Sequence, residues 1–207
     1  MEFTALILFV ISTSITPGPN NLMIMTSGVN FGFRRSLPHL LGVDIGFPLM
    51  LIAVGMGINQ VFEFVPSLMT WLKIVGALYL TYLAFKIATQ PVKMSDEPKS
   101  QTIAKPFTFV QAALFQWVNP KAWIMAVGAV VTYVVADADH LMQVCLIALF
   151  FILFGAPCTV AWLSFGSSLK EMLSNPKRLR VFNIVMACLL MTSLLPVFIS
   201  LYELVQP

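Results

Sequence analysis

The chain has 207 residues, 58% hydrophobic and 10% charged, with a formal net charge of +3. A soluble domain is about 45–50% apolar and about 25% charged, and twelve basic plus nine acidic side chains cannot cover the surface of one this long. A soluble globular domain, a disordered chain and a nucleic-acid binder are therefore excluded.

What remains is an all-α integral membrane protein, read as one transmembrane domain over 1–207. Crossing the hydrocarbon takes about 20 apolar residues. Phe3 to Phe33, Leu141 to Leu169 and Val181 to Tyr202 contain no Asp, Glu, Lys or Arg. Three further runs qualify if single ionisable residues are tolerated. The predicted spans are 3–27, 36–61, 66–88, 107–135, 140–168 and 179–202.

The first span is interrupted at Thr16-Pro17-Gly18-Pro19-Asn20-Asn21. Glu2 stands where a signal peptide would carry positive charge, so the first run is expected to be a mature span. The second span contains Asp44 and Gly46-Phe47-Pro48. Lys73 and Lys86 bracket the third as interfacial anchors, and Trp71, Tyr79 and Tyr82 share it. Pro91, Pro98, Pro106 and five charges mark the linker that follows. The fourth span is interrupted at Val118-Asn119-Pro120-Lys121, and the fifth carries Gly155-Ala156-Pro157. Cys145, Cys158 and Cys188 sit in apolar runs and read as small core residues, not as a disulfide framework. Gly28/Gly32 and Gly42/Gly46 have the spacing that lets helices approach closely.

In a six-span chain the first, third and fifth connections share one side. That side holds Arg34, Arg35, Lys86, Lys93, Lys99, Lys105, Lys170, Lys177, Arg178 and Arg180, ten of the twelve basic residues. The other side holds Glu2, Glu63, Asp137, Asp139 and Glu203, with Lys73 its one basic residue. Positive loops stay cytoplasmic, which places both termini outside the cytoplasm. The linker divides the chain into repeat one, 1–90, a cytoplasmic loop, 91–106, and repeat two, 107–207. Three spans per half make the halves enter the bilayer from opposite sides, the signature of an inverted repeat. Pro17 and Pro120 lie 103 residues apart, half the chain length, and spans two and five carry a matching pair of Gly-x-Pro elements, Gly46-Phe47-Pro48 and Gly155-Ala156-Pro157, 109 residues apart.

Proline lacks an N–H and clashes with the carbonyl four residues earlier. The breaks are expected to free the carbonyls of Thr13, Ile15 and Gln116, and these must be buried in protein or line a polar cavity. A half-helix starting near Asn20 presents unpaired N–H groups and the positive end of its dipole. Carbonyls beside N–H groups near mid-membrane suit a zwitterion. The candidate substrate site is thus Thr16, Pro17, Gly18, Pro19, Asn20, Asn21, Asn119, Pro120 and Lys121. The competing reading is a structural kink healed by Thr13, Thr16, Asn20 and Asn119.

Two ionisable residues lie inside spans, where charge is costly and marks pathways. Lys121 reads as a carboxylate contact or charge lock, Asp44 as the proton-coupling group of an antiporter. A structural Asp44–Lys121 pair is the alternative for both. No Walker loop, His-Glu-x-x-His or Gly-x-Ser-x-Gly occurs. Ser167 and Lys170 match Ser-x-x-Lys, but Lys170 is better explained by membrane orientation. His39 and His140 lie near opposite span ends and read as interfacial. No metal, cofactor or enzyme activity is expected. The small-molecule reading leaves a secondary exporter or a passive channel open, and leaves open whether the chain forms a homo-oligomer.

Several stretches together resemble the lysine/homoserine/threonine exporter (LysE/RhtB) family. They are Thr16-Pro17-Gly18-Pro19-Asn20-Asn21, Gly32-Phe33-Arg34-Arg35-Ser36, Gly76-Ala77-Leu78-Tyr79-Leu80 with Tyr82-Leu83-Ala84-Phe85-Lys86, and Asn119-Pro120-Lys121-Ala122. The resemblance covers essentially the whole chain. It implies six spans and efflux of amino acids driven by the proton gradient across the bacterial inner membrane. Lys86-Ile87-Ala88-Thr89 and Phe115-Gln116-Trp117-Val118-Asn119 are similar to exporters of cysteine and O-acetylserine. Asp44 departs from the small or apolar residue expected there.

Overall fold

The computed structural model describes residues 2–58, 66–91, 105–135 and 139–203, and among these the chain is helical throughout, without a β-strand. Glu63 and Asp137 lie outside the described residues, as does most of the connection 91–106, with Lys93, Asp96, Glu97 and Lys99.

Proline chemistry sets the helix starts. Helix α1 (Phe3–Ile15) stops ahead of Pro17, and α2 (Pro19–Phe31) begins on Pro19, where the missing N–H costs nothing. The two helices are bent by 54° at the break. Gly32 ends α2 at φ +84°, a conformation that favours glycine, and α3 (Phe33–Ala53) starts at once. A wide π-helical turn, Val54–Ile58, continues α3. Helix α4 is Pro66–Ala88.

Helix α5 (Phe109–Phe115) opens on a reciprocal capping box between Thr108 and Gln111 and ends in a 3-10 turn at Val118. Asn119 then caps α6 (Pro120–Tyr133), its Oδ1 accepting from the Lys121 N–H at 3.1 Å. Helix α7 (His140–Phe150) passes through a π-helical turn, Phe151–Gly155, into α8 (Ala156–Met172). Helices α9 (Pro176–Thr192) and α10 (Leu195–Glu203) complete the chain.

Among the described residues, four helical stretches are long and apolar enough to cross a bilayer: Phe33–Gly57, Thr70–Ala88, His140–Met172 and Pro176–Glu203. The bent α1–α2 pair makes a fifth when counted as one span. The predicted span 107–135 is present as two pieces on either side of Asn119. At 1.5 Å per residue, neither crosses about 30 Å of hydrocarbon alone, so helix length alone yields four or five spans rather than six. Large apolar side chains stand exposed on the outer faces, among them Leu78, Ile124, Val131 and Leu153. A soluble monomer does not leave such a surface bare, and the chain is a multi-pass membrane protein.

The most extensive packing is α2 on α8, followed by α4 on α9 and α3 on α5. Close approach rests on glycine at three of the four paired positions. A Cβ on Gly28 would lie 2.7 Å from the Leu163 carbonyl oxygen and 2.9 Å from the Ser167 nitrogen of α8. Gly42 and Gly46 face Phe109 and Ala113 of α5 in the same way. Gly32 serves instead as the positive-φ stop. Asn30 and Asn183 exchange side-chain hydrogen bonds of 2.9 and 3.3 Å across α2 and α9, the polar glue that helices use where burial in lipid supplies little drive.

Two expectations are corrected. Only Cys158 of the three cysteines is buried; Cys145 and Cys188 are exposed on outer faces. His39 is not interfacial but buried, because Phe107, leading into α5, lies over its ring at 5.2 Å between centroids.

Candidate functional site

The two helix breaks touch. Asn20, in the first turn of α2, donates to Gln116 Oε1 at 2.8 Å, and Gln116 Nε2 donates back to Asn20 Oδ1 at 3.2 Å. Gln116 is fully buried. The ammonium of Lys121, in the first turn of α6, crosses to the Thr16 carbonyl at 2.6 Å. Gly18 makes that crossing possible, because a Cβ there would stand 2.6 Å from Lys121 Cδ.

Beside the breaks lies a cavity of about 50 Å³, room for a few water molecules. Its walls come from four of the predicted spans: Ser14, Gly18, Asn20 and Asn21; Asp44, Phe47 and Pro48; Asn119 and Lys121; Phe151, Gly155 and Thr159. Of the ten residues singled out from sequence, Gly18, Asn20, Asn21, Asp44, Asn119 and Lys121 line it. Thr16, Pro17, Pro19 and Pro120 do not; they shape the breaks that form it.

The expected free carbonyls are largely occupied. Ile15 accepts from the Trp162 indole at 3.1 Å. Asn21 Nδ2 donates to the Ser14 and Thr16 carbonyls at 2.7 and 2.9 Å. The Gln116 carbonyl accepts from the Asn119 N–H at 3.3 Å, and the Trp117 carbonyl takes the Trp123 indole at 2.8 Å. Healing therefore occurs, though by Asn21, Trp162 and Trp123 more than by the four residues expected. Thr13, and Thr16 just past the helix end, donate back onto α1, to the Phe9 and Ser12 carbonyls. Trp162 and Thr159 of α8, and Gln116 as a side chain, were missed from sequence, since nothing local marks a residue whose partner lies on a distant span.

Asp44 is half-buried and accepts from the Thr159 hydroxyl at 2.6 Å. It shares the cavity with Lys121, yet no ion pair within 4.0 Å forms among the described residues. The described residues also hold no cluster of three or more His, Cys, Asp or Glu able to bind a metal ion.

A cavity lined by Asn20, Asn21, Asp44, Asn119 and Lys121, set among the spans of a multi-pass helical protein where two helices are interrupted, is the build of a membrane translocator. The chain belongs to the family described as LysE type translocator, whose model matches residues 11–194. It is 32% identical over 192 residues to a protein of Escherichia coli O1:K1 / APEC named Cysteine/O-acetylserine efflux protein, covering 92% of this chain and 94% of that one. Proteins of the same name from Escherichia coli strain K12 and Shigella flexneri serotype 5b (strain 8401) are each 31% identical over the same shares. No solved structure matches.

Proposed function

We propose that the protein is a secondary active exporter that moves amino acids or close derivatives out of the cytoplasm by proton antiport. The observation that carries this reading is the meeting of two broken helices at Asn20–Gln116, beside a cavity containing both Asp44 and Lys121. Substrates of the cysteine and O-acetylserine kind are favoured by the names of the relatives. The substrate carboxylate would take Lys121 and the first N–H groups of α2 and α6. The ammonium would take the Ser14 and Thr16 carbonyls, displacing their present donors.

Six spans in two inverted repeats accompany this reading. The first span packs on the fifth, the second on the fourth and the third on the sixth. Exchanging the two halves leaves that set of pairings unchanged. The cavity draws on spans one, two, four and five, again a set that the exchange preserves. Both termini face away from the cytoplasm of a bacterial inner membrane, by the distribution of basic residues.

Counterflow in proteoliposomes tests the function. Labelled O-acetylserine should exchange against unlabelled substrate, and an imposed pH gradient should drive net movement. A passive channel would show neither trans-stimulation nor a response to the gradient. Overexpression should also raise resistance of cells to toxic amino-acid analogues.

A further inference from the structure

A second, larger cavity lies one helical turn beyond the first along α2. Asn20 lines the small cavity, and Met23 the large one. Its volume is about 570 Å³, within the range of about 300–1,000 Å³ that holds small molecules. It opens at the helix ends of the basic face, between Lys86 at the end of α4 and Lys105 ahead of α5. The Asn20–Gln116 amide pair lies at the boundary between the two cavities in helix order, since Met23 and Gln111 line the large cavity while Asn20 and Asn119 line the small one.

Among the described residues, the charged groups lining this vestibule are all basic. Lys86 and Lys105 bring two cations, and no acidic side chain lines it among the described residues. Among the described residues neither ammonium has a hydrogen-bond or ion-pair partner, and Lys86 lies over the Tyr82 ring at 5.2 Å. His39 forms part of the wall, and both its ring nitrogens are buried without a partner. A buried imidazole in that state is unusual and marks a place where a polar ligand group can bind.

We propose that this vestibule is a loading site that takes the carboxylate of an amino acid before the substrate passes the Asn20–Gln116 pair. The two ammonium groups attract the carboxylate, and their field opposes a second positive charge on the solute. The site therefore selects neutral and acidic amino acids and rejects dibasic ones. Apolar walls from Met23, Leu83 and Phe107 accommodate a short side chain. The direction of loading rests on the export reading above; the binding itself does not.

The test is equilibrium binding of radiolabelled O-acetylserine to the full chain in micelles, paired with counterflow in vesicles of phosphatidylcholine alone. K86Q/K105Q should weaken binding at least about tenfold, with wild-type thermal stability, and K86R/K105R should restore it. Lysine should compete poorly against wild type and better against K86Q/K105Q. Unchanged affinity in K86Q/K105Q, or equal competition by lysine in wild type, overturns the proposal. So does an effect that disappears without anionic lipid, since the lysines would then be serving headgroups. Lysine-dependent binding without counterflow would refute the export reading and leave the loading site standing. Counterflow indifferent to both lysines would do the reverse.

Discussion

The amide pair joining the two breaks is open to direct measurement. Asn20 and Gln116 exchange two hydrogen bonds, of 2.8 and 3.2 Å. Side-chain bonds between membrane helices average about 0.6 kcal/mol and reach about 1.7. Two of them predict a coupling of about 1–3 kcal/mol, a factor of roughly 5–150 in an equilibrium constant. Single substitutions would overstate it, because the second hydrogen on Gln116 Nε2 goes to the Ala112 carbonyl at 2.9 Å. A double-mutant cycle over Asn20→Ala, Gln116→Ala and the double variant removes that excess. The readout is reversible unfolding in mixed micelles, with counterflow measured on the same preparations. Additivity to within about 0.5 kcal/mol would refute the claim that these side chains tie the breaks together.

Three further outcomes are expected. Gly28→Ala places a methyl against the α8 backbone at 2.7–2.9 Å and should cost about 1–3 kcal/mol in the same unfolding assay. Gly128→Ala, whose nearest neighbour would be Phe9 Cζ at 3.9 Å, should be neutral or stabilise by about 0.4–1 kcal/mol. Trp162→Phe removes the donor held by the Ile15 carbonyl; it should lower stability by about 1 kcal/mol and slow counterflow.

What the sequence disclosed, it disclosed through local chemistry. Pro17, Pro19 and Pro120 cannot donate, so the breaks and the new helix starts at Pro19 and Pro120 follow from residue type alone. Gly28, Gly42 and Gly46 announced close packing by having no side chain. Partners across the fold were another matter. That Thr159 would meet Asp44, or Trp162 reach Ile15, depends on α8 packing against α1, α2 and α3, and no residue encodes that by itself. His39 was misread for the same reason: its distance from the helix end suggests an interface, but Phe107 arrives from 68 positions along the chain to cover it. The site was legible where backbone rules govern and obscure where long-range packing governs.

Asp44 is the proposed coupling group. Among the residues lining the small cavity, Asp44 alone is acidic. Its partner gives it a way to change protonation without a change of fold. The Thr159 hydroxyl has one proton and two acceptors in reach, Asp44 Oδ1 at 2.6 Å and the Ala156 carbonyl at 2.8 Å. When Asp44 is ionised, the hydroxyl serves it. When Asp44 is protonated, the carboxylic acid can donate to Thr159 Oγ1 and the hydroxyl can turn to Ala156. An asparagine reproduces the second arrangement, since its Nδ2 also donates. Asp44→Asn is therefore expected to fold with stability within about 1 kcal/mol of wild type, to retain counterflow, and to lose net export driven by a pH gradient. The competing picture, a structural Asp44–Lys121 ion pair, predicts loss of folded protein for either single substitution and recovery when both are neutralised. The geometry disfavours it, because Lys121 is held by the Thr16 carbonyl at 2.6 Å and Asp44 by Thr159. Gradient-driven export by Asp44→Asn at the wild-type rate would show that the proton takes another route, or that a different ion drives transport.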